Sequence, residues 1–356
     1  MKRQTNSLLI SLSALVLSGL LLLPSMLLAA EKPLRLYGVG ATFPAPLLSS
    51  WMHSFTAEHP LIQPDYQGIS SAGGLRDLAS GHVDFAAADY RIPEEDAAQL
   101  AGGIIQLPMA AAGIALIYNL PEVGQLRLSR AALIGIFGGQ IGRWNDPLIA
   151  KTNPNASLPD LPITLVARAG ASGTSFNLTA HLSAISPDLT KRVGTTLTPD
   201  WGKVINRAGG LIRASGNDGV TSLVRSIPGS IGYVAYPYAD FTNTPMAAIE
   251  NKDGQMVVPT ALSFAASMAA ISQSPTATAL IDPSGENAYP LIALSYLMLR
   301  KHYDDPRKQQ ALVDIVDYAL GPGQKLAARI GYIPFSTGAI EYVQQALEPL
   351  RQTAAP

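Results

Sequence analysis

Residues 38–48 read Gly-Val-Gly-Ala-Thr-Phe-Pro-Ala-Pro-Leu-Leu, and few local structures accept such a run. Leu34–Val39 has the character of a short strand. Glycine and alanine then lead to a threonine and two prolines, which set the chain to turn and begin a helix. Behind Pro46, residues Leu47, Leu48, Trp51, Met52 and Phe55 recur at helical spacing and read as core packing. Thr42 and Phe43 therefore stand where a strand hands over to a helix, among backbone N–H groups with no intrahelical partner. Such a junction suits an anion, because the free donors and the helix dipole act together. Similar starts recur at Ser70–Gly74 and Ser172–Thr174.

The first thirty residues have the form of a targeting segment. Lys2 and Arg3 precede a leucine-rich apolar run, Leu8–Leu23, which Pro24 ends, and Ala29-Ala30 offers a cleavage site before Glu31. Leu28 stands where a small residue is usual, so an uncleaved anchor is the competing reading. No second long apolar span follows, which predicts a soluble exported chain. Without residues 1–30 the chain is still longer than one core usually organises, which predicts two domains.

The formal net charge is −1, and the targeting segment carries two bases and no acid. A general nucleic-acid binder would show a basic excess instead. Cysteine is absent, so there are no disulfides, no thiolate metal site and no lipid-bearing cysteine. The histidines at 53, 59, 82, 181 and 302 show no close pair at ligand spacing and read as surface or hydrogen-bonded residues. No metal and no cofactor is expected.

Strands are expected at Leu34–Val39, Pro64–Gly68 and His82–Ala88, with helices at Pro46–Glu58 and Gly74–Ser80. This alternation implies a mostly parallel α/β sheet with helices on both faces. Farther on, Gly113–Tyr118, Ile163–Ala167 and Ser230–Ala235 read as strands, and Ser175–Ala184 and Gly219–Ser226 as helices. Arg168 ends one strand and Asp89 another.

A protonated tetrahedral oxyanion in a dry cleft needs many short donors, since each buried oxygen must be satisfied. It benefits from one guanidinium fork and needs one acceptor for its proton. Thr42 and Ser71 offer hydroxyls, and Phe43 an N–H. Ser172, Gly173 and Thr174 offer hydroxyls and free N–H groups. Arg168 supplies the guanidinium and Asp89 the acceptor. In open parallel sheets ligands bind beyond the carboxyl ends of the strands. Each residue alone reads as a cap, a turn or a surface charge, and it is their joint placement that points to a site. Gly170-Ala171-Ser172-Gly173 lacks a full nucleophile elbow, no histidine stands near Ser172, and there is no Walker-type loop. Glu94, Glu95 and Asp96 read as an exposed helix N-terminus.

At these residues the chain resembles the phosphate-binding proteins of bacterial phosphate ABC transporters, the PstS family. The likeness runs through Gly40–Pro46, Tyr66–Gly74, Val83–Asp89, Arg143–Pro147, Arg168 with Ser172–Phe176, Gly216–Gly219, Pro228–Val234 and Ala288–Pro290, in the family's order. It implies an α/β, two-lobed periplasmic binding protein of the type II flytrap kind. Each lobe would be a mixed, mostly parallel sheet flanked by helices. Residues 31–108 plus 239–356 would form a discontinuous lobe I, and residues 109–238 lobe II. Inorganic phosphate would sit between Thr42, Phe43, Ser71 and Asp89 on one side and Arg168, Ser172, Gly173 and Thr174 on the other, with Asp89 accepting its proton. The resemblance also implies a monomeric periplasmic receptor, not an enzyme, which delivers phosphate to the transmembrane subunits of an ABC permease. One departure stands out. The family commonly has an aspartate two residues after the arginine, and this chain has Gly170. That keeps open a receptor for sulfate or another phosphoryl ligand. A secreted phosphoryl hydrolase is a more remote alternative.

Overall fold

The computed structural model describes residues 32–100, 102–206, 209–271 and 280–354. The targeting segment and its cleavage site lie outside them. Among the described residues, no helix is long and apolar enough to cross a membrane.

One eight-stranded sheet organises the chain from Leu34 onward. Its strands are β1 (Leu34–Gly40), β2 (Ile62–Gly68), β3 (Phe85–Ala88), β4 (Ile104–Tyr118), β6 (Thr164–Arg168), β7 (Leu211–Ala214), β8 (Ser230–Ala235) and β11 (Ile292–Arg300). Three short strands, β5 (Arg127–Leu128), β9 (Ala248–Glu250) and β10 (Met256–Val257), form a separate small sheet. The large sheet runs β2-β1-β3-β11-β4-β8-β6-β7. The pairs β1–β2, β1–β3, β6–β7 and β6–β8 are parallel, whereas β11 and β4 run antiparallel to their neighbours. The helices that bear on the site are α1 (Ala45–Glu58), α2 (Ser71–Ala79), α3 (Glu94–Gln99), α4 (Arg130–Phe137), α5 (Gly173–Ile185), α6 (Gly216–Ser226), α7 (Tyr236–Phe241) and α8 (Pro306–Leu320).

Strand β4 joins the two ends of the sheet. Residues Ile104–Gly113 pair with β11, and Ile114–Tyr118 pair with β8. The sequence pattern predicts a strand only from Gly113, whereas the structure extends it back to Ile104, past Pro108. The structure accommodates that proline at a bulge. Ser295 pairs with Ala110 and Tyr296 with Pro108, which leaves Met109 as the extra residue. A bulge is where a residue with no N–H to donate can sit inside a sheet.

Strand β11, near the C-terminus, lies between β3 and β4. The C-terminal segment also packs on α1. Trp51 donates from Nε1 to Gly323 O at 2.8 Å, and Phe55 meets Tyr318 edge-on. Leu47, Leu48, Trp51, Met52 and Phe55 are all buried, as their spacing predicts.

Three helices begin earlier than their glycines suggest. The start of α2 is Ser71 rather than Gly74, that of α5 is Gly173 rather than Ser175, and that of α6 is Gly216 rather than Gly219. Gly73, Gly74, Gly173 and Gly216 are all first-turn residues. Gly74 shows why: a Cβ there would lie 2.5 Å from Gly40 Cα and 2.6 Å from Val39 O. The start of α2 is thus pressed against the end of β1.

Gly74→Val is therefore expected to destabilise the fold by at least about 2 kcal/mol, since backbone on both sides has to give way. Gly338→Ala, at an exposed position in the first turn of the C-terminal helix with open space at the Cβ, is expected to be neutral or slightly stabilising. Urea unfolding of the two variants checks the contrast.

Candidate functional site

The end of β1 delivers Ala41, Thr42 and Phe43 into the interior, where all three are buried. Each of their carbonyls is held by a tyrosine. Tyr66 donates to Ala41 O at 2.7 Å, Tyr238 to Thr42 O at 2.6 Å, and Tyr332 to Phe43 O at 2.6 Å. Burial pushes all three phenols well above their ordinary pKa, so they remain protonated donors. In a planar trans peptide the next N–H points away from the carbonyl. Tyr66 therefore aims the Thr42 N–H, and Tyr238 aims the Phe43 N–H. Among the described residues the Phe43 N–H has no acceptor.

Asp89 follows β3 and is almost fully buried. Antiparallel pairing sets Tyr296 opposite Ala88, which brings Ser295 beside Asp89. Ser295 Oγ donates to Asp89 Oδ1 at 2.8 Å, and the Asp89 N–H donates to Ser71 Oγ at 3.4 Å. Burial raises the Asp89 pKa to about 7, against the opposing pull of Ser295, Arg168 and Ser71. Ser71 is not the residue before its helix. Ser70 is the cap, accepting the Gly73 N–H at 2.9 Å, and Ser71 opens the first turn.

Arg168 ends β6, where its side chain is buried among α5 and β8 partners. Its Nη1 donates to Thr174 Oγ1 at 3.3 Å and its N–H to Tyr233 OH at 3.4 Å. Among the described residues the buried Arg168 Nε has no partner. Burial lowers the guanidinium's pKa, and the Coulombic pull of Tyr233, Asp89, Tyr238 and Asp218 opposes that. An arginine nonetheless stays charged at any ordinary pH. Asp89 and Arg168 thus feel each other's charge, yet one is bonded to Ser295 and the other to Thr174. Ser172 caps α5 by accepting the Ser175 N–H at 3.3 Å.

The two groups of residues meet directly. The Gly173 N–H donates to Ser71 Oγ at 3.2 Å, and Asn177 Nδ2 donates to Asp89 O at 2.6 Å. Only glycine fits at 173, since a Cβ would lie 2.4 Å from Asp89 Cβ. All eight residues singled out in the sequence thus lie in one buried cluster. The reading missed Asn177, Tyr233, Tyr238 and Ser295, whose roles come from partners far away in the chain. It also missed Asn217, which donates to Thr42 Oγ1. Asn217 and Tyr233 left a local signal, since they stand in the Gly216–Gly219 and Pro228–Val234 stretches of likeness.

Gly170 is exposed, with nothing within 4 Å of its would-be Cβ. Among the described residues no three His, Cys, Asp or Glu side chains gather as a metal site. His53, His59, His82 and His302 are exposed, as read. His181 corrects that reading, being buried on α5 with neither ring nitrogen hydrogen-bonded among the described residues. Its Nδ1 lies 3.9 Å from Asp282 Oδ1, and burial lowers its pKa to about 4. It stands nine residues beyond Ser172, about 13 Å along the helix, too far to act as its base.

A buried acid with a raised pKa binds its proton more tightly folded than unfolded. Its contribution to stability is full below the unfolded pKa and is lost as pH rises through the folded one. Asp89 is therefore expected to destabilise the protein progressively between about pH 4 and pH 7, by on the order of 4 kcal/mol. Thermal unfolding of Asp89→Asn without added anion should show a variant clearly more stable than wild type above neutrality. The two should converge toward pH 4.

Residues 29–319 match a PBP superfamily domain model. The chain is 36% identical over 313 residues to the phosphate-binding protein PstS of Pasteurella multocida, covering 86% of this chain and 88% of the relative. It is 34% identical to the PstS of Haemophilus influenzae, over 86% and 90% of the two chains. The PstS of the archaeon Methanocaldococcus jannaschii is 33% identical, over 83% and 81%. Among solved structures, a high-affinity periplasmic phosphate-binding protein with bound phosphate superposes with a TM-score of 0.70 at 20% identity, covering 88% of this chain and 93% of that one. A putative phosphate ABC transporter substrate-binding protein from Clostridium perfringens gives 0.59 at 17% identity, covering 85% and 100%. With the two-lobed binding-protein fold and close relatives spanning nearly its whole described length, the chain belongs to the PstS family of phosphate-binding proteins.

Proposed function

We propose that this protein captures inorganic phosphate in a cleft between two lobes outside the cytoplasmic membrane and hands it to the transmembrane subunits of an ABC permease. It acts as a monomeric receptor and not as an enzyme. The observation that carries the reading is the chemistry of one buried cluster. A guanidinium with an unused Nε and an unpaired backbone N–H share a dry site with one carboxylate. Donors in excess suit an oxyanion, and the carboxylate suits one that still carries a proton.

In this reading lobe I is residues 31–108 plus 239–356, lobe II is residues 109–238, and residues 1–30 direct export. The change of β4 partner at Gly113–Ile114 lies close to the first boundary and makes a natural hinge. Thr42, Phe43, Ser71 and Asp89 contact phosphate from one side, and Arg168, Ser172, Gly173 and Thr174 from the other. On binding, the Gly173 N–H and the Ser71 hydroxyl exchange their mutual bond for phosphate oxygens.

Asp89 decides selectivity. When ionised it accepts the proton of hydrogen phosphate and repels sulfate, which has none to offer. When protonated it donates equally well to either. Its pKa of about 7 places that change within the working range. Gly170 favours a second reading, in which sulfate is tolerated, because no carboxylate at that position adds to the repulsion.

Calorimetry with phosphate and sulfate separates the two. Wild type is expected to bind phosphate in preference to sulfate, and the preference should grow from about pH 5.5 to about pH 8.5 as Asp89 ionises. Asp89→Asn should flatten that dependence and narrow the preference at least about tenfold. No phosphate binding at millimolar concentration would sink the reading, and equal affinities at high pH would favour the sulfate-tolerant one.

A further inference from the structure

Asn217, in the first turn of α6, is buried and outside the proposed ligand set. Its Oδ1 accepts the Ala235 N–H at 3.0 Å. A backbone N–H can only donate, so this contact identifies the oxygen end of the amide. Nδ2 is thereby turned toward Thr42 Oγ1, to which it donates at 2.8 Å. The Asn217 N–H donates to the same oxygen at 3.2 Å.

A hydroxyl oxygen has two lone pairs and one proton. With both lone pairs taken, the Thr42 hydroxyl can only donate. Thr42 is 5% exposed, and among the described residues no acceptor takes its proton. Leaving a buried donor unpaired is costly, so the proton calls for an acceptor inside the site.

We propose that Asn217 is a positioning residue that fixes the polarity of the Thr42 hydroxyl, making it an obligate donor to a deprotonated oxygen of the bound anion. This rests on the phosphate reading above. A threonine free to rotate could present a lone pair to the anion instead, and Asn217 removes that option. Asn217 lies in the middle segment and Thr42 in the N-terminal one, so the polarity is set only where the two segments meet.

The test is a double-mutant cycle read by calorimetry with inorganic phosphate on the full chain. Asn217→Ala should weaken phosphate binding about tenfold. The same substitution in a Thr42→Ser background should cost as much, since the hydroxyl remains. In a Thr42→Val background it should cost less than about twofold. Should Asn217→Ala fail to fold, Asn217→Asp is nearly isosteric and keeps the Ala235 contact. Charge repulsion is common to both backgrounds and cancels in the cycle. An equal penalty with threonine, serine and valine at 42 would mean a merely structural asparagine and overturn the inference, while wild-type binding leaves the phosphate reading standing. Wild type that binds no phosphate overturns the reading and this inference with it.

Discussion

Desolvation of opposite charges in one small volume governs this molecule. Asp89 and Arg168 are both withdrawn from water without being bonded to each other. A buried charge left unpaired is expensive, and the protein meets that cost with dipoles rather than with a direct ion pair. Ser295 and Ser71 serve the carboxylate, and Thr174 serves the guanidinium. What remains unsatisfied, above all the Arg168 Nε, is capacity that a ligand can use. A direct Asp89–Arg168 bridge would have consumed it.

The rest of the fold places these dipoles. The Ser295 contact depends on the register of β11 against β3, and the bulge at Met109 lies beside it. The tyrosines at 66, 238 and 332 each take one carbonyl of a three-residue run. They come from a strand, a middle-segment helix and the C-terminal region. Those bonds hold the peptide planes that carry the Thr42 and Phe43 N–H groups, which a flexible Gly-rich turn could not do alone. Precision at the site is thus borrowed from three distant parts of the chain.

Much of this was legible in the sequence, for identifiable reasons. The core face of α1 follows from a 3.6-residue period, and Asp89 and Arg168 stand at strand ends because apolar runs stop there. Helix starts were less legible. Glycines at 73, 173 and 216 gave no exact helix boundary, yet each serves in a first helical turn, at 173 because Asp89 comes too close for a side chain. The first half of β4 was not legible either, because the bulge that admits Pro108 is a property of the pairing and not of the proline. His181 looked like any solitary histidine, and only packing made it a buried one.

Local order and residue chemistry were determined by the sequence alone. Alternation of strands and helices, the donors at helix starts, one arginine, one aspartate and the absence of cysteine can all be read without coordinates. The tertiary structure decided which of these groups meet and in what electrical state. Burial sets the Asp89 pKa near 7, and Asn217 commits the Thr42 oxygen from 175 residues away. Both effects depend on distance and solvent exclusion, which arise only when remote segments pack together.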